Sequence, residues 1–372
     1  MRIGIDCRLW NETGVGRYIR NLVENLQVLD RNNEYVLFLQ SKDSQKFKVQ
    51  NSKFKIVEVN IRWHTLEEQV KFPKILEREN LNLVHFPYFA IPISYSRPFV
   101  VTIHDLILNH YPTGKSTTLP MPLYALKYFG YQYVLKRAAQ KAEKIITVSN
   151  ATKSEIVDHL GVPEDKVVVT YEGVDDEVLS SKYKVLSKKE KNTKYFLYVG
   201  NAYPHKNLEK LIEAFVQFRV ESKDDVQLLL VGKDDYFYRR LAGKIEKENI
   251  EGVLIKHSVT DEELCSLYSH AIAFVSASKM EGFGLPPLEA MACSTPVLLS
   301  DIPSFREICK NIAFYFNPDN ISDIKDKMKF VYDLDSKTKQ KHISLGLTRV
   351  KEFSWKKMAE ETLAIYESSL SL

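Results

Sequence analysis

Two glutamates, Glu281 and Glu289, bracket a loop with few polar side chains in the stretch SKMEGFGLPPLEAMACSTPV at residues 278–297. The consecutive prolines in this stretch suit the first turn of a helix, which predicts a helix that begins at Pro286 or the proline after it. Glu281 then lies on the loop and Glu289 in the first helical turn. The backbone amides at 283–285 would lie near a positive helix end, where an anion or a set of hydroxyl groups can bind.

The two carboxylates allow three chemical interpretations. A carboxylate accepts two hydrogen bonds from a vicinal diol, so a sugar-rich ligand suits both glutamates. Alternatively, Glu289 only complements the helix dipole and Glu281 is solvated. The acid and base of a glycoside hydrolase are disfavoured, because eight residues span about 12 Å of ideal helix. The carboxyl pair of such enzymes is usually about 5 to 9.5 Å apart.

A glycine turn and a histidine follow two predicted strands of the N-terminal half. Gly14 and Gly16 in TGVGRY open a helix, a position that suits a phosphate or a plain tight turn about equally. A dinucleotide fingerprint requires glycine where Ile19 stands, and YVLFLQ ends without an acidic residue, so an NAD-dependent oxidoreductase is disfavoured. His104 ends a buried strand, where crevices form, although a lone histidine is more often a structural residue.

A lysine stands beside a helix start in the C-terminal half. Lys206 belongs to YVGNAYPHKN, which runs from a predicted strand into the helix LEKLIEAFVQF. Asn207 is predicted to cap that helix. Lys206 can meet a diphosphate there, because its charge and the helix dipole both favour an anion.

The elements that position these residues are short apolar runs alternating with helical patterns. This rhythm predicts βαβ units and parallel sheets. The strands are predicted at 2–5, 35–39, 55–59, 83–86, 99–103, 144–148, 167–170, 195–199, 226–231, 253–256, 271–276, 296–299 and 313–316.

A lysine-rich polar stretch interrupts this rhythm and is interpreted as an interdomain linker. Two doubly wound domains in tandem make a cleft between them the expected ligand site. The predicted boundaries are 1–180 for the first domain, 181–194 for the linker and 195–354 for the second domain.

Composition excludes several classes of protein. The 372 residues suggest about two domains, and a net charge of +4 is too mild to predict a nucleic-acid surface. The four cysteines are widely spaced, which argues for reduced thiols and against a zinc site or disulfide framework. Without a long apolar run, the chain is predicted to be cytoplasmic and not membrane-spanning. The basic, aromatic segment 126–144 is interpreted as an ordinary surface helix, with contact to an anionic membrane or a lipid-linked acceptor as the alternative.

In this order, the motifs TGVGRY, IHD, TVSNATKSEI, YEGVDDE, YVGNAYPHKN and EGFGLPPLEA resemble glycosyltransferase family 4. The resemblance covers essentially the whole chain, and the paired-glutamate segment is its specific part. It implies the α/β GT-B fold, two tandem Rossmann-like doubly wound domains that face a central cleft. The C-terminal FSWKKMAEETLAIY resembles the last helices of the family, so residues 355–372 are expected to rejoin the N-terminal, acceptor-side domain.

The resemblance assigns roles to five residues of the paired-glutamate segment. Glu281 would hold hydroxyls of the transferred sugar, and Glu289 would hold the nucleotide ribose. The amides of Phe283, Gly284 and Leu285 would face the sugar and the diphosphate, which explains why backbone rather than polar side chains lies between the glutamates.

Other residues match the rest of a donor site. Lys206 would neutralise the donor diphosphate and the developing charge of the leaving group. Gly14 and Gly16 would approach the phosphate, and His104 would orient the donor sugar. The backbone around Val259 in HSVTDEEL would read the base.

Two positions depart from the family pattern. Many relatives carry an arginine where this chain has Asn201, and His205 or Arg17 is the candidate for supplying the missing donor or charge. Glu172 replaces the usual asparagine before Gly-Val-Asp, which affects donor or hinge contacts. Neither departure removes a residue on which the reaction type rests.

The function implied is transfer of a hexose from a nucleoside diphosphate sugar, with retention of anomeric configuration and without a metal or cofactor. GDP-mannose is the first choice of donor, with rhamnose and glucose donors as alternatives on the same scaffold. The expected acceptor is a growing, lipid-linked surface polysaccharide such as a lipopolysaccharide, at the inner face of the membrane. A noncatalytic nucleotide-sugar-binding module is the remaining rival.

Overall fold

The computed structural model describes residues 1–45, 47–112, 121–174, 193–222 and 224–370. The chain divides into two compact units. The first comprises Met1–Gly173 and Ser354–Leu372, and the second comprises Val174–Phe353. The predicted linker at 181–194 lies outside the described residues, except for its last two positions.

The first unit alternates strands and helices. Its elements are β1 (Arg2–Asp6), α1 (Gly14–Leu29), β2 (Glu34–Leu39), α2 (Ser41–Ser44), β3 (Phe54–Glu58), α3 (Leu66–Arg78), β4 (Leu83–Phe86), β5 (Phe99–Ile103), α4 (Ile107–His110), α5 (Met121–Lys141), β6 (Ile145–Thr147), α6 (Asn150–Leu160) and β7 (Val167–Val169). A parallel sheet forms in the order β3-β2-β1-β4-β5-β6-β7.

The second unit repeats the pattern. Its elements are β8 (Lys194–Val199), α7 (Leu208–Glu221), β9 (Val226–Val231), α8 (Tyr236–Lys247), β10 (Val253–Lys256), α9 (Asp261–His270), β11 (Ala273–Ser276), α10 (Leu285–Ala292), β12 (Val297–Ser300), α11 (Pro303–Cys309), β13 (Phe314–Phe316), α12 (Ile321–Tyr332) and α13 (Ser336–Val350). Its parallel sheet has the order β10-β9-β8-β11-β12-β13. Every strand predicted from the sequence is present, with ends that differ by at most two residues.

Burial on both faces explains why the strands are continuous apolar runs. All of β5 and β12 is buried, because helices cover both faces of a doubly wound parallel sheet. In each sheet the strand order reverses, between β1 and β4 in the first and between β8 and β11 in the second. Ligands of such sheets bind beyond the carboxyl ends of the strands at this switch point.

The last helix, α14 (Trp355–Ser368), belongs to the first unit and packs against α1. Its start is fixed by a close backbone approach at Gly173. A Cβ atom at Gly173 would lie 2.2 Å from the backbone nitrogen of Trp355, so only glycine fits there.

Candidate active site

Lys206 and Glu281 form an ion pair at the carboxyl edge of the second sheet. Lys206 ends the 3₁₀ turn after β8, and Glu281 lies on the loop after β11, the neighbouring strand. The Lys206 Nζ atom donates to both carboxylate oxygens, at 2.7 and 2.8 Å. The side chains are only 15% and 16% exposed. A backbone hydrogen bond of 2.8 Å from Lys279 to the carbonyl of His205 ties the two loops together.

The electrostatics keep Glu281 ionised. Desolvation acts to raise the pKa of this carboxyl, but the charge of Lys206 and its hydrogen bonds to the carboxylate outweigh it and hold the pKa below its usual value. A glycosidase acid requires the opposite shift, because it must carry a proton near neutral pH. Glu281 is therefore unsuited to act as the acid of a hydrolase.

His205 does not supply a positive charge in place of the arginine that many relatives carry at the position of Asn201. The residue is buried beside Lys206, and burial together with that charge lowers its pKa to about 4. The imidazole is neutral at physiological pH. Of the two candidates for the missing charge, the structure thus removes His205.

The helix after Glu281 begins one residue earlier than predicted. α10 starts at Leu285, and its two prolines follow within the first turn. Gly284 precedes the helix with a φ of 113°, a conformation that favours glycine, and a Cβ there would lie 3.0 Å from the ring of Phe305. Phe283 is buried, with its ring against Phe353 at a centroid distance of 5.7 Å, so it contributes to the core of the unit.

Glu289 lies in the second turn of α10, so its predicted position in the first turn is wrong. The residue is 6% exposed, and its carboxylate accepts a hydrogen bond of 2.9 Å from the hydroxyl of Tyr268 on α9. A buried carboxylate that accepts a hydrogen bond from a tyrosine does more than complement the helix dipole from solvent. The sequence did not single out Tyr268, because its contact arises from the packing of two helices.

The remaining predicted residues of this unit occupy loops at the same carboxyl edge. Asn201 follows β8, where its side chain accepts a hydrogen bond of 3.3 Å from the amide of Tyr203. Val259 lies between β10 and the Thr260 cap of α9. Asn207 precedes α7 as predicted, but its side chain donates to the carbonyl of Pro318 and does not cap the helix.

In the first unit, the glycine turn lies at the start of α1. A Cβ atom at Gly16 would lie 2.6 Å from the carbonyl oxygen of Trp10 and 2.8 Å from that of Leu9. No heavy atom among the described residues lies within 4 Å of a Cβ built at Gly14. Local packing thus explains the glycine at 16, whereas the glycine at 14 leaves open space beside the helix start.

His104 lies directly after β5 and is nearly buried. Its Nε2 atom lies 3.0 Å from the carbonyl oxygen of Pro87, so Nε2 carries the proton that it donates. Its Nδ1 atom lies 3.5 Å from the carboxylate of Glu172, one of the two departures from the family pattern. The ring of Tyr18 meets the imidazole edge-on at a centroid distance of 4.9 Å.

A buried series of polar contacts leads from Tyr18, whose ring meets His104, to the last helix. The Tyr18 hydroxyl lies 3.3 Å from that of Thr102, and Thr102 lies 2.8 Å from His85 Nε2. The other ring nitrogen of His85 lies 2.6 Å from the hydroxyl of Tyr366 on α14. Burial lowers the pKa of His85 to about 3, with a smaller contribution from His104, so the ring is neutral. Sequence patterns did not indicate this series of polar contacts.

Two of the widely spaced cysteines are neighbours in the fold. The sulfur atoms of Cys265 on α9 and Cys293 at the end of α10 lie 3.0 Å apart. Both are free thiols in this structure.

The described residues contain neither a membrane-spanning helix nor a cluster of metal-ligating side chains. No helix in the described ranges is both long and apolar enough to cross a membrane. Within the same part of the chain, no group of three or more histidine, cysteine or acidic residues is arranged to hold a metal ion.

Two doubly wound units with this site place the chain among the glycosyltransferases. The family described as Glycosyltransferase Family 4 matches residues 13–178, and the one described as Glycosyl transferases group 1 matches residues 181–344. The O-antigen chain mannosyltransferase RfbU of Salmonella typhimurium is 32% identical over 273 residues, a match that covers 73% of this chain and 71% of that protein. The chain belongs to glycosyltransferase family 4, which confirms the resemblance found in its motifs.

Further comparisons agree with this family and with the fold. The O-antigen chain mannosyltransferase B of Escherichia coli is 28% identical over 295 residues, covering 77% of this chain and 74% of that protein. The structure of Anabaena Alr3699/HepE in complex with UDP-glucose superimposes with a TM-score of 0.76 at 16% identity, covering 99% of this chain and 100% of that one. The predicted GT-B fold is confirmed.

Proposed function

We propose that this glycosyltransferase moves a hexose from a nucleoside diphosphate sugar to a hydroxyl group of a growing surface polysaccharide, with retention of configuration. The observation that carries the proposal is the enclosed Lys206–Glu281 pair beside the helix that holds the buried Glu289. GDP-mannose is the first choice of donor, because two relatives are named O-antigen chain mannosyltransferases. Glucose and rhamnose donors are the alternatives, and the HepE structure contains UDP-glucose.

Each charged group has a distinct role in this proposal. Lys206 exchanges Glu281 for the diphosphate and stabilises the charge that develops on the leaving group. Glu281, held ionised, then accepts hydrogen bonds from sugar hydroxyls. Glu289 accepts from the ribose hydroxyls, with Tyr268 fixing one of its carboxylate oxygens. The amides of Phe283, Gly284 and Leu285 face the sugar and diphosphate at the start of α10.

The first unit supplies the remaining contacts. The turn at Gly14 and Gly16 approaches the phosphate, and His104 orients the donor sugar. On the second unit, Asn201 contacts the donor and the backbone at Val259 reads the base. The reaction needs no metal or cofactor, because the lysine and the helix amides provide the electrostatic stabilisation.

Helix α5 supports the proposal of a lipid-linked acceptor and of peripheral contact with the cytoplasmic face of the membrane. Its sequence contains four lysine or arginine residues and no acidic residue. It also exposes the large apolar side chains of Leu123, Leu126, Phe129 and Tyr133. A basic helix with exposed aliphatic and aromatic side chains suits an anionic lipid surface.

Thermal unfolding with a nucleotide panel in EDTA tests the donor site. A ligand at about 100 times its Kd contributes about 2.7 kcal/mol, which raises the Tm of a unit of this size by roughly 5 to 10 °C. GDP-mannose, UDP-glucose, dTDP-rhamnose, GDP and UDP are compared on the wild type, on Glu289→Ala and on Glu246→Ala. The last variant is the matched control, because Glu246 is an exposed glutamate on α8.

We expect one nucleotide class to stabilise the wild type and Glu246→Ala but not Glu289→Ala. The selected donor is then incubated with lipid-linked saccharide acceptors, and the anomeric configuration of the product is determined. A folded protein that no nucleotide stabilises would refute the proposal, and release of sugar from a glycan without nucleotide would favour a hydrolase. Donor binding without transfer to any acceptor of a broad panel would favour a noncatalytic binding module.

A further inference from the structure

A pair of thiols lies against the helices that hold Glu289. Cys265 is half-buried on α9, and Cys293 is buried where α10 ends. Their sulfur atoms are 3.0 Å apart, and Tyr268, one turn along α9 from Cys265, donates to Glu289. The backbone amide of Cys293 in turn donates to the carbonyl of Glu289 at 2.9 Å. Each thiol is thus one helical turn from one partner of the Tyr268–Glu289 hydrogen bond.

We propose that Cys265 and Cys293 are an oxidation site, at which a small disulfide such as glutathione disulfide converts the two thiols into one reversible protein disulfide. This bond weakens nucleotide binding by displacing Glu289. The second part rests on the function proposed above, whereas the first does not depend on it.

The two thiols differ in a way that gives each a role. A hydrogen bond from the Cys293 thiol holds the pKa of Cys265 below its usual value, although burial acts against this. Cys265 is also the more exposed of the two, so it is the thiol that an oxidant reaches. The other cysteines are less reactive, because burial raises the pKa of Cys309 to about 12 and that of Cys7 well above its usual value.

The reaction proceeds in two balanced exchange steps. The Cys265 thiolate attacks one sulfur of glutathione disulfide, which forms a mixed disulfide and releases one glutathione thiolate. Cys293 then loses its proton and attacks the Cys265 sulfur, which expels the second glutathione thiolate. The two protein thiols lose two electrons, glutathione disulfide gains them, and the two protein protons end on the two glutathione molecules.

Bond formation shortens a contact between α9 and the end of α10. A disulfide bond is about 2.0 Å long, so the sulfurs have to approach by about 1 Å from their 3.0 Å separation. The thiol pair and the Tyr268–Glu289 hydrogen bond join the same two helices, so a change in one contact is transmitted to the other. We therefore expect the carboxylate to leave the position in which it receives the ligand.

The first experiment measures the thiols alone, on the full-length protein under native conditions. Wild type, Cys265→Ser, Cys293→Ser and the control Cys309→Ser are treated with glutathione disulfide and mapped by mass spectrometry without reduction. We expect a Cys265–Cys293 peptide pair in the wild type and in Cys309→Ser, and a stable mixed disulfide at Cys265 in Cys293→Ser. Unmodified thiols in the folded wild type, or a mixed disulfide that persists in it, would overturn the proposal.

The second experiment measures nucleotide affinity before and after oxidation. GDP and UDP are titrated by calorimetry into the reduced protein, the oxidised protein and the oxidised protein after treatment with dithiothreitol. We expect the affinity to fall about fivefold on oxidation, the loss expected for one weakened hydrogen bond, and to recover on reduction. Cys265→Ser should keep its affinity through the same treatment.

The two experiments separate the possible failures. A disulfide that forms while the affinity stays constant would overturn the link to Glu289. Absence of nucleotide binding in the reduced protein would refute the proposed function instead, and the mass spectra would still decide whether the thiols pair.

Discussion

Removing one member of the Lys206–Glu281 pair should destabilise the second unit, and removing both should cost less than the sum. The two carboxylate oxygens each accept from the lysine ammonium within 2.8 Å, and about one sixth of each side chain is exposed. Glu281→Gln leaves the ammonium without its counter-charge, and Lys206→Met leaves the carboxylate without its own. The double variant leaves neither charge in the enclosed site.

The magnitude follows from burial. Breaking a buried ion pair costs about 3 to 5 kcal/mol, whereas an exposed pair contributes about 0 to 1 kcal/mol. Since this pair is mostly enclosed, we expect each single variant to lose about 2 to 3 kcal/mol in the free energy of unfolding. The coupling energy from the double-mutant cycle should be about 2 kcal/mol.

The assay is urea unfolding at pH 7 followed by far-UV circular dichroism. The three tryptophans of the sequence, at 10, 63 and 355, all belong to the first unit, so their fluorescence serves as an internal control. A coupling energy below about 1 kcal/mol, the range of surface pairs, would refute the reasoning.

Acid provides a second check on the same pair. The folded-state pKa of Glu281 lies below the ordinary value of 4.5, so its stabilisation is complete above that pH and is lost as the pH falls through the folded-state value. The difference in stability between wild type and Glu281→Gln should therefore shrink below pH 4.5. A difference that stays constant to the lowest pH at which the protein folds would contradict the assigned direction.

Three further predictions follow from individual contacts. Tyr268→Phe leaves one oxygen of the buried Glu289 carboxylate without its tyrosine donor, so nucleotide affinity measured by calorimetry should fall about tenfold, and an unchanged affinity would contradict the role of that hydroxyl. Gly16→Ala should destabilise the first unit by about 1 to 3 kcal/mol in urea, whereas Gly14→Ala, whose Cβ meets open space, should retain stability but weaken donor binding. Equal loss of stability in both glycine variants would contradict this distinction. Burial lowers the folded-state pKa of His85 to about 3, so the free energy of unfolding of the wild type should fall by about 1.4 kcal/mol per pH unit as the pH is lowered from the unfolded value of 6.5 towards that pKa. His85→Gln should lack this part of the loss in urea unfolding at several pH values. Identical dependence of stability on pH in the two proteins would contradict the prediction.

The fold was predictable from the sequence because its signals are local. Buried parallel strands are continuous apolar runs, and the lengths between them fit crossover helices, so every strand was found within one or two residues. The start of α10 was misplaced by one residue, because the helix begins before its prolines and not at them. Asn207 occupies the predicted position before α7, but its side chain donates to the distant carbonyl of Pro318 and does not cap the helix.

The site was predictable only in part. The positions of Lys206 and Glu281 at strand ends could be inferred, since neighbouring strands of a doubly wound sheet bring their following loops together. Their ion pair, however, joins residues 75 positions apart and depends on side-chain geometry. The partners Tyr268 and Cys265 were missed for a similar reason: they lie on α9, and helical periodicity does not reveal which residues of a neighbouring helix they contact.

Because of the Lys206–Glu281 ion pair, the proposed donor site should favour a ligand that carries both a diphosphate and a sugar. Lys206 stabilises Glu281 in the enclosed site, so a diphosphate that draws the lysine away leaves a desolvated carboxylate uncompensated. Sugar hydroxyls that donate to Glu281 remove this penalty. On the proposed function, a free nucleoside diphosphate therefore pays a cost that the intact nucleotide sugar avoids, and the preference for the intact donor should diminish in Glu281→Gln. The same exchange would return Lys206 to Glu281 when the sugar has been transferred, which favours release of the spent nucleotide.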